Sequence, residues 1–160
     1  MKIKFICIGK MKKGAEQELF ERYYQRAKRN FQTLGIYLMP VIELPESKSS
    51  NVEERKKREG ENILSSLNNK AYLILLDELG QMLPTKKFAD LLPKLKQTGI
   101  NNVTFAIGGA DGHSEEIKKR ADKILSLGLM TFPHQIVRIL LAEQIYRNAT
   151  ILLNHPYHRE

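Results

Sequence analysis

The sequence predicts an α/β fold, a mainly parallel sheet with helices on both faces, on three observations. Strand-like and helix-like patterns alternate along the whole chain. The run AYLILL at 71–76 is apolar throughout, as a parallel strand covered on both faces must be. The 160 residues suffice for one domain, 1–160, that buries about two-thirds of the surface its unfolded form exposes. In open sheets of this kind ligands bind beyond the carboxyl ends of the strands.

KIKFICI at 2–8 sets Ile3, Phe5, Ile6 and Ile8 ahead of a turn at Gly9 and reads as the first strand. From 15 to 30, Leu19, Phe20, Tyr23, Tyr24 and Ala27 recur at steps of three and four among charges, which predicts a surface helix. A second strand follows over 35–44. Asn51, with Glu54 three positions on, has the pattern of a capping box and opens a charged helix to about residue 69, with Ile63, Leu64 and Leu67 inward. AYLILL, the third strand, should be central and end at DELG. Thr85 can cap a helix carrying Phe88, Leu91, Leu92 and Leu95, which Pro93 should kink and Gly99 end. NVTFAIG at 102–108 is a fourth strand leading into the loop GADG, and Ser114 can cap a short helix with Glu115 and Glu116 in its first turn. A brief fifth strand spans 124–127. The last helix starts near Pro133, whose fixed φ suits a first turn.

A net charge of +8 and a pI near 9.6 favour a polyanionic partner, because each Lys or Arg set against a phosphate releases condensed counterions. Nucleic acid comes first and an anionic membrane second. The lone Cys7 excludes an intrachain disulfide, and of the histidines only His155 and His158 are closely spaced, with no cysteine pair beside them, so no metal site is expected. The strand-like stretch in MKIKFICIGKMKKG is too short and too polar for a signal peptide or membrane span; a cytoplasmic location is expected.

Three loops follow the later strands, DELG, GADG and LGLMTFPHQ, and should gather at one edge of the sheet. Gly108 and Gly109 let backbone amides approach a ligand without a Cβ in the way, but the full dinucleotide fingerprint is missing. In the last helix Ile136, Val137, Ile139, Leu140, Leu141, Ala142, Ile145 and Tyr146 cover nearly the whole circumference, which predicts burial on all sides and, in so small a domain, a homodimer. Arg138 sits within that apolar arc and needs a partner, either a structural carboxylate or a ligand anion. His134 is a first-turn polar residue or an RNA contact. The ending NHPYHRE offers a ring, an imidazole and a cation in Tyr157, His158 and Arg159, all useful against RNA.

IGGADG, MTFPHQIVRILLAEQIYRNA and PYHRE together closely resemble the RlmH family of ribosomal large-subunit methyltransferases, of the SPOUT superfamily, and the likeness runs from MKIKFICIGK to the last residue. The resemblance implies a C-terminal trefoil knot, an exception to the rule against threaded chains. It also implies S-adenosylmethionine (SAM) as cofactor and methyl transfer to N3 of a pseudouridine in large-subunit rRNA, on assembled ribosomes. Carried over by position, the cofactor contacts fall on Leu76, Gly108, Leu127, Gly128, Leu129, Met130, Thr131 and Phe132. The N3 proton must leave, which calls for a base or an oxyanion-stabilising cation; His158, Tyr157, Glu143 and Arg138 are the candidates, with Arg159 and His134 as RNA contacts. Gln81 stands where the family commonly has lysine, Lys86 or Lys87 where it often has an acidic residue, and Asn148 where alanine is usual. The alternative is a non-catalytic basic dimer that docks on rRNA as an assembly factor. A nucleotide-dependent hydrolase should carry a phosphate loop with Lys and Ser or Thr, which the sequence lacks.

Overall fold

The computed structural model describes residues 1–158, so the contact expected of Arg159 lies outside the described residues. The elements run β1 (Lys2–Ile8), α1 (Ala15–Thr33), β2 (Tyr37–Leu38), β3 (Ile42–Leu44), α2 (Val52–Ser65), β4 (Tyr72–Met82), α3 (Thr85–Gln97), β5 (Asn102–Ile107), α4 (Glu115–Arg120), β6 (Lys123–Ser126) and α5 (His134–Leu152). Every strand pairing is parallel. The sheet order is β2-β1-β5-β4-β6, with β3 sharing the β2 edge of β1.

Alternation along each strand builds two cores. Ile3, Phe5 and Cys7 of β1 face one side with Ile74, Leu76, Phe105 and Ile107, under α1, α3 and α5. Ile6 and Ile8 face the other with Leu73, Leu75 and Ala106, under Ile63 of α2 and Ile117 of α4. On the first side Phe5 makes edge contacts with Phe20, Tyr24 and Phe105.

Several local expectations are corrected. The strand expected over 35–44 is two, β2 and β3, because Pro40 between them has no N–H to give a ladder. The charged helix stops at Ser65 rather than near 69; the hydroxyls of Ser65 and Ser66 both take the Asn62 carbonyl, competing with the helical ladder. Asn51 does cap it, accepting from the Glu54 amide at 3.0 Å, but the Glu54 carboxylate takes the Ser49 hydroxyl instead of closing the box. Thr85 and Pro133 each sit one place from the role expected: Pro84 and Pro133 occupy the N-cap positions, and Thr85 is the first helical residue.

The third strand does not end at DELG. Leu76 and Gln81 both pair with Leu125, so the intervening residues loop out as a bulge and β4 resumes to Met82. Gly80 makes this possible, since a Cβ there would lie 2.6 Å from the Leu125 carbonyl carbon. Nor is β4 the central strand: β5 holds the middle, with β4 between β5 and β6. Both runs are buried on both faces, a property shared by every interior strand.

The chain itself covers most of α5. Leu141, Ala142, Ile145 and Ala149 are fully buried against α1, α3 and the sheet. The all-round apolar pattern therefore reflects a helix wrapped by its own fold and does not by itself require a second copy.

Candidate active site

At the carboxyl ends of β4, β5 and β6 the three loops surround a cavity of about 700 Å³. Leu76, Gly108, Leu127, Gly128, Met130, Thr131 and Phe132 line it, as do His134 and Val137 of α5. Leu129 does not; its side chain stands in solvent, 83% exposed.

Each loop is held by its own device. The Ser126 hydroxyl donates to the Gly128 carbonyl at 2.7 Å and accepts from the Gly128 amide at 3.1 Å, closing a tight turn after β6. Thr131 donates to Glu78 at 2.7 Å, fastening that loop to the β4 bulge. The glycine loop is pinned to α2: Arg55 donates to both oxygens of Asp111, at 2.7 and 3.2 Å, and to the carbonyls of Ser49 and Ser50. Gly109 has no room for a Cβ beside the carboxylate of Glu59, which accepts from the Ser47 amide at 2.9 Å. Burial pushes the Glu59 carboxyl up from its ordinary range.

His113 closes the floor. It is buried, its Nε2 lies 3.1 Å from the Leu76 carbonyl, and so it joins the end of β4 to the glycine loop. Desolvation pushes its pKa down, which leaves a neutral ring whose Nε2–H donates to that carbonyl. Beside it Lys118 pairs with Asp77 at 3.3 Å. The sequence reading passed over His113, although a histidine directly after a glycine loop that follows a strand was a usable signal.

The other singled-out residues fall into separate places. Arg138 is buried in the core, donating to Glu43 at 2.9 Å and to the Ile8 and Gly9 carbonyls at 2.6 Å each; its Nε has no partner among the described residues. Glu43 thus supplies the carboxylate that the sequence demanded. Glu143 lies further along α5, pairing with Arg147 and accepting from the Tyr157 hydroxyl at 3.0 Å. Tyr157 packs on Tyr146, ring centroids 4.6 Å apart, and under the Arg147 guanidinium. The tail therefore folds onto its own α5, and neither Glu143, Tyr157 nor His158 lines the cavity. His134 and Glu143 are nine positions apart, about 13 Å along a helix. The Nδ1 of His158 is buried without a hydrogen-bond partner among the described residues. Asn148, where the resemblance leads one to look for alanine, donates to the Phe88 carbonyl at 3.1 Å, while Gln81 accepts from Lys123 at 2.9 Å.

The family model described as predicted SPOUT methyltransferase matches residues 1–158. The chain belongs to the SPOUT methyltransferase family. Within it, this SPOUT chain is 46% identical over 159 residues to the ribosomal RNA large subunit methyltransferase H of Brucella anthropi, covering 99% of each. It is 44% identical over the same coverage to the protein of that name from Bartonella tribocorum, and 46% to that from Rhizobium leguminosarum. Membership gives the chain a chemical class, transfer of a methyl group; the cavity walls offer residues of the three loops, among them Asp77, Asp111 and His134, together with Lys118.

Proposed function

We propose that this chain transfers the methyl group of SAM to N3 of a pseudouridine in large-subunit ribosomal RNA, on assembled ribosomes in the cytoplasm, as a homodimer. The observation that carries the reading is a ligand-sized cavity walled by the three loops, in a chain aligned with ribosomal RNA methyltransferases over 99% of its length. A volume of about 700 Å³ suits a nucleoside with an amino-acid arm.

The lining residues fit SAM. Leu76, Ile107, Leu125 and Leu127 offer apolar walls to the adenine. Asp77, Glu78, Asp111 and Glu115 suit a sulfonium and an ammonium, while Lys56 and Lys118 suit a carboxylate. SAM supplies an electrophilic methyl group on sulfur. The chain's part is to hold that group in line for attack, through the serine-braced turn at Gly128 and the His113-braced carbonyl of Leu76. The net charge of +8 favours an RNA substrate. No helix among the described residues is long and apolar enough to cross a membrane.

For the dimer, the supporting features are Leu79 and Met130, large apolar side chains left exposed on the cavity lining, and Leu129, exposed beside Met130 in the chain. In this reading Tyr157, His158 and Arg159 serve the cavity of the second copy, since Tyr157 in its own chain is held at Glu143 and Arg147. Calorimetric titration with SAM and its demethylated product tests the cofactor. Methyl transfer to ribosomes lacking the modification tests the substrate.

A further inference from the structure

His134, the first residue of α5, lines the cavity, and its Nε2 lies 3.8 Å from a carboxylate oxygen of Glu46, in the segment after β3. Both face Gly9, the turn after β1: a Cβ there would come within 2.6 Å of Glu46 Oε1 and 3.4 Å of His134 Nε2. Gly9 has φ +84°, a conformation that glycine alone adopts freely. Its carbonyl is gripped by the buried Arg138 guanidinium. Imidazole, carboxylate and turn thus stand together, with the imidazole on the cavity wall and Glu46 and Gly9 behind it. The His134 side chain is 23% exposed and so within a substrate's reach, whereas His113 is buried and engaged with Leu76.

The charged groups acting on His134 are Arg138, one turn along its own helix, and Glu46. Burial and Arg138 disfavour the imidazolium and Glu46 favours it, with burial the largest influence. The ring is therefore neutral near pH 7, the form that accepts a proton.

We propose that His134, oriented by Glu46, is the base that removes the N3 proton of the pseudouridine; this rests on the reading under Proposed function. The negative charge of Glu46 lies on the Nε2 side and favours the tautomer protonated there, which leaves Nδ1 to accept. The N3–H proton passes to Nδ1 as the N3 electron pair forms a bond to the methyl carbon. The carbon–sulfur bond breaks, its electrons staying on sulfur as a neutral thioether, and the imidazolium then returns its proton to water.

The test is single-turnover methyl transfer to modification-deficient ribosomes between about pH 5.5 and 9, with SAM affinity measured by calorimetry on the same preparations. Wild type should level off once the imidazole is neutral. His134→Gln should keep SAM affinity within about twofold, lose on the order of a hundredfold in transfer at pH 7, and regain rate as pH rises and the imide ionises unaided. Glu46→Gln should move the wild-type inflection to lower pH, because the group favouring the imidazolium is gone. A His134→Gln protein with wild-type rate and profile overturns the assignment, as does one whose rate falls equally at every pH or only in step with SAM affinity. If wild type itself binds SAM but transfers nothing to ribosomes, the substrate reading fails and takes this assignment with it.

Discussion

One guanidinium nitrogen of Arg138 donates to the carbonyls of both Ile8 and Gly9, 2.6 Å from each. The contact joins α5, which bears His134, to the turn that ends β1, and Glu43 neutralises the charge from the β3 side. Replacing Arg138 by methionine takes the buried donor from the Ile8 and Gly9 carbonyls and leaves the Glu43 carboxylate with the Met11 amide alone. The expected loss is about 3 kcal/mol in urea unfolding. A change below about 1 kcal/mol would mean that the guanidinium is not the brace described.

Gly108 illustrates a different constraint. A Cβ there would meet the Gly112 carbonyl oxygen at 2.9 Å and the His113 ring at 3.2 Å, so it presses on the glycine loop itself rather than entering open cavity. Gly108→Val should therefore abolish SAM binding and also cost about 1–3 kcal/mol of stability. At Gly128 a Cβ would find only ordinary contact with the Phe132 ring, 3.5 Å away, and Gly128→Ala should leave the melting temperature unchanged. Calorimetry with SAM and thermal unfolding of both variants check the contrast.

His113 makes stability depend on pH. Burial holds its folded pKa below the ordinary 6.5, so the unfolded chain takes up the proton first. Stability is full above about pH 6.5 and is lost as pH falls toward the folded value; His134, shifted the same way, adds to the slope. Urea midpoints at pH 7.5 and 5.5 should differ less in His113→Gln than in wild type. An equal difference would remove His113 from this account.

Residues for the dimer and residues for the core should separate by substitution. Leu141 and Ile145 are fully buried in their own chain, so a charge at either should unfold it. Leu79 and Leu129, each 83% exposed, should accept glutamate without loss of fold while converting a dimer to a monomer by light scattering. A Leu129→Glu, Leu79→Glu protein that remains dimeric would place the interface elsewhere.

A chain ending at Pro156 should bind SAM with near-normal affinity yet lose at least about tenfold in methyl transfer, roughly 1.4 kcal/mol. Tyr157 packs on Tyr146 and accepts the Arg147 cation over its ring, so the truncated chain should also melt somewhat earlier. Full activity on ribosomes would make the tail an ornament of α5.

Much of this was legible in the sequence because burial on two faces leaves a plain mark. AYLILL and NVTFAIG announce interior strands, and their order with the intervening helices announces a parallel sheet. Which of the two is central was not legible, since both carry that mark. The β4 bulge was hidden because Gly80 reads as the end of a strand until Leu125 is brought against it. The loops at the cavity were legible from glycine and strand order, while the cofactor contacts expected of single residues in them rested on the resemblance alone. Glu46 and Arg55 were missed for one reason: each acts across the fold, on His134 and Asp111, and nothing local to ELPESKSS or VEERKK marks such a partner. The reading of α5 as a dimer helix met a similar limit, because sequence shows how apolar a helix is but not against what each face packs: Leu141 and Ile145 go into their own fold, while Ile136 stays exposed.

The most direct measurement is incubation of the purified chain with methyl-labelled SAM and ribosomes from a strain lacking the modification, followed by nucleoside analysis of the large-subunit RNA. The account predicts label in a single pseudouridine, on N3, and none when ribosomes already carrying the methyl group are supplied. Binding to ribosomes without SAM affinity and without label would contradict it and leave a non-catalytic assembly factor in its place.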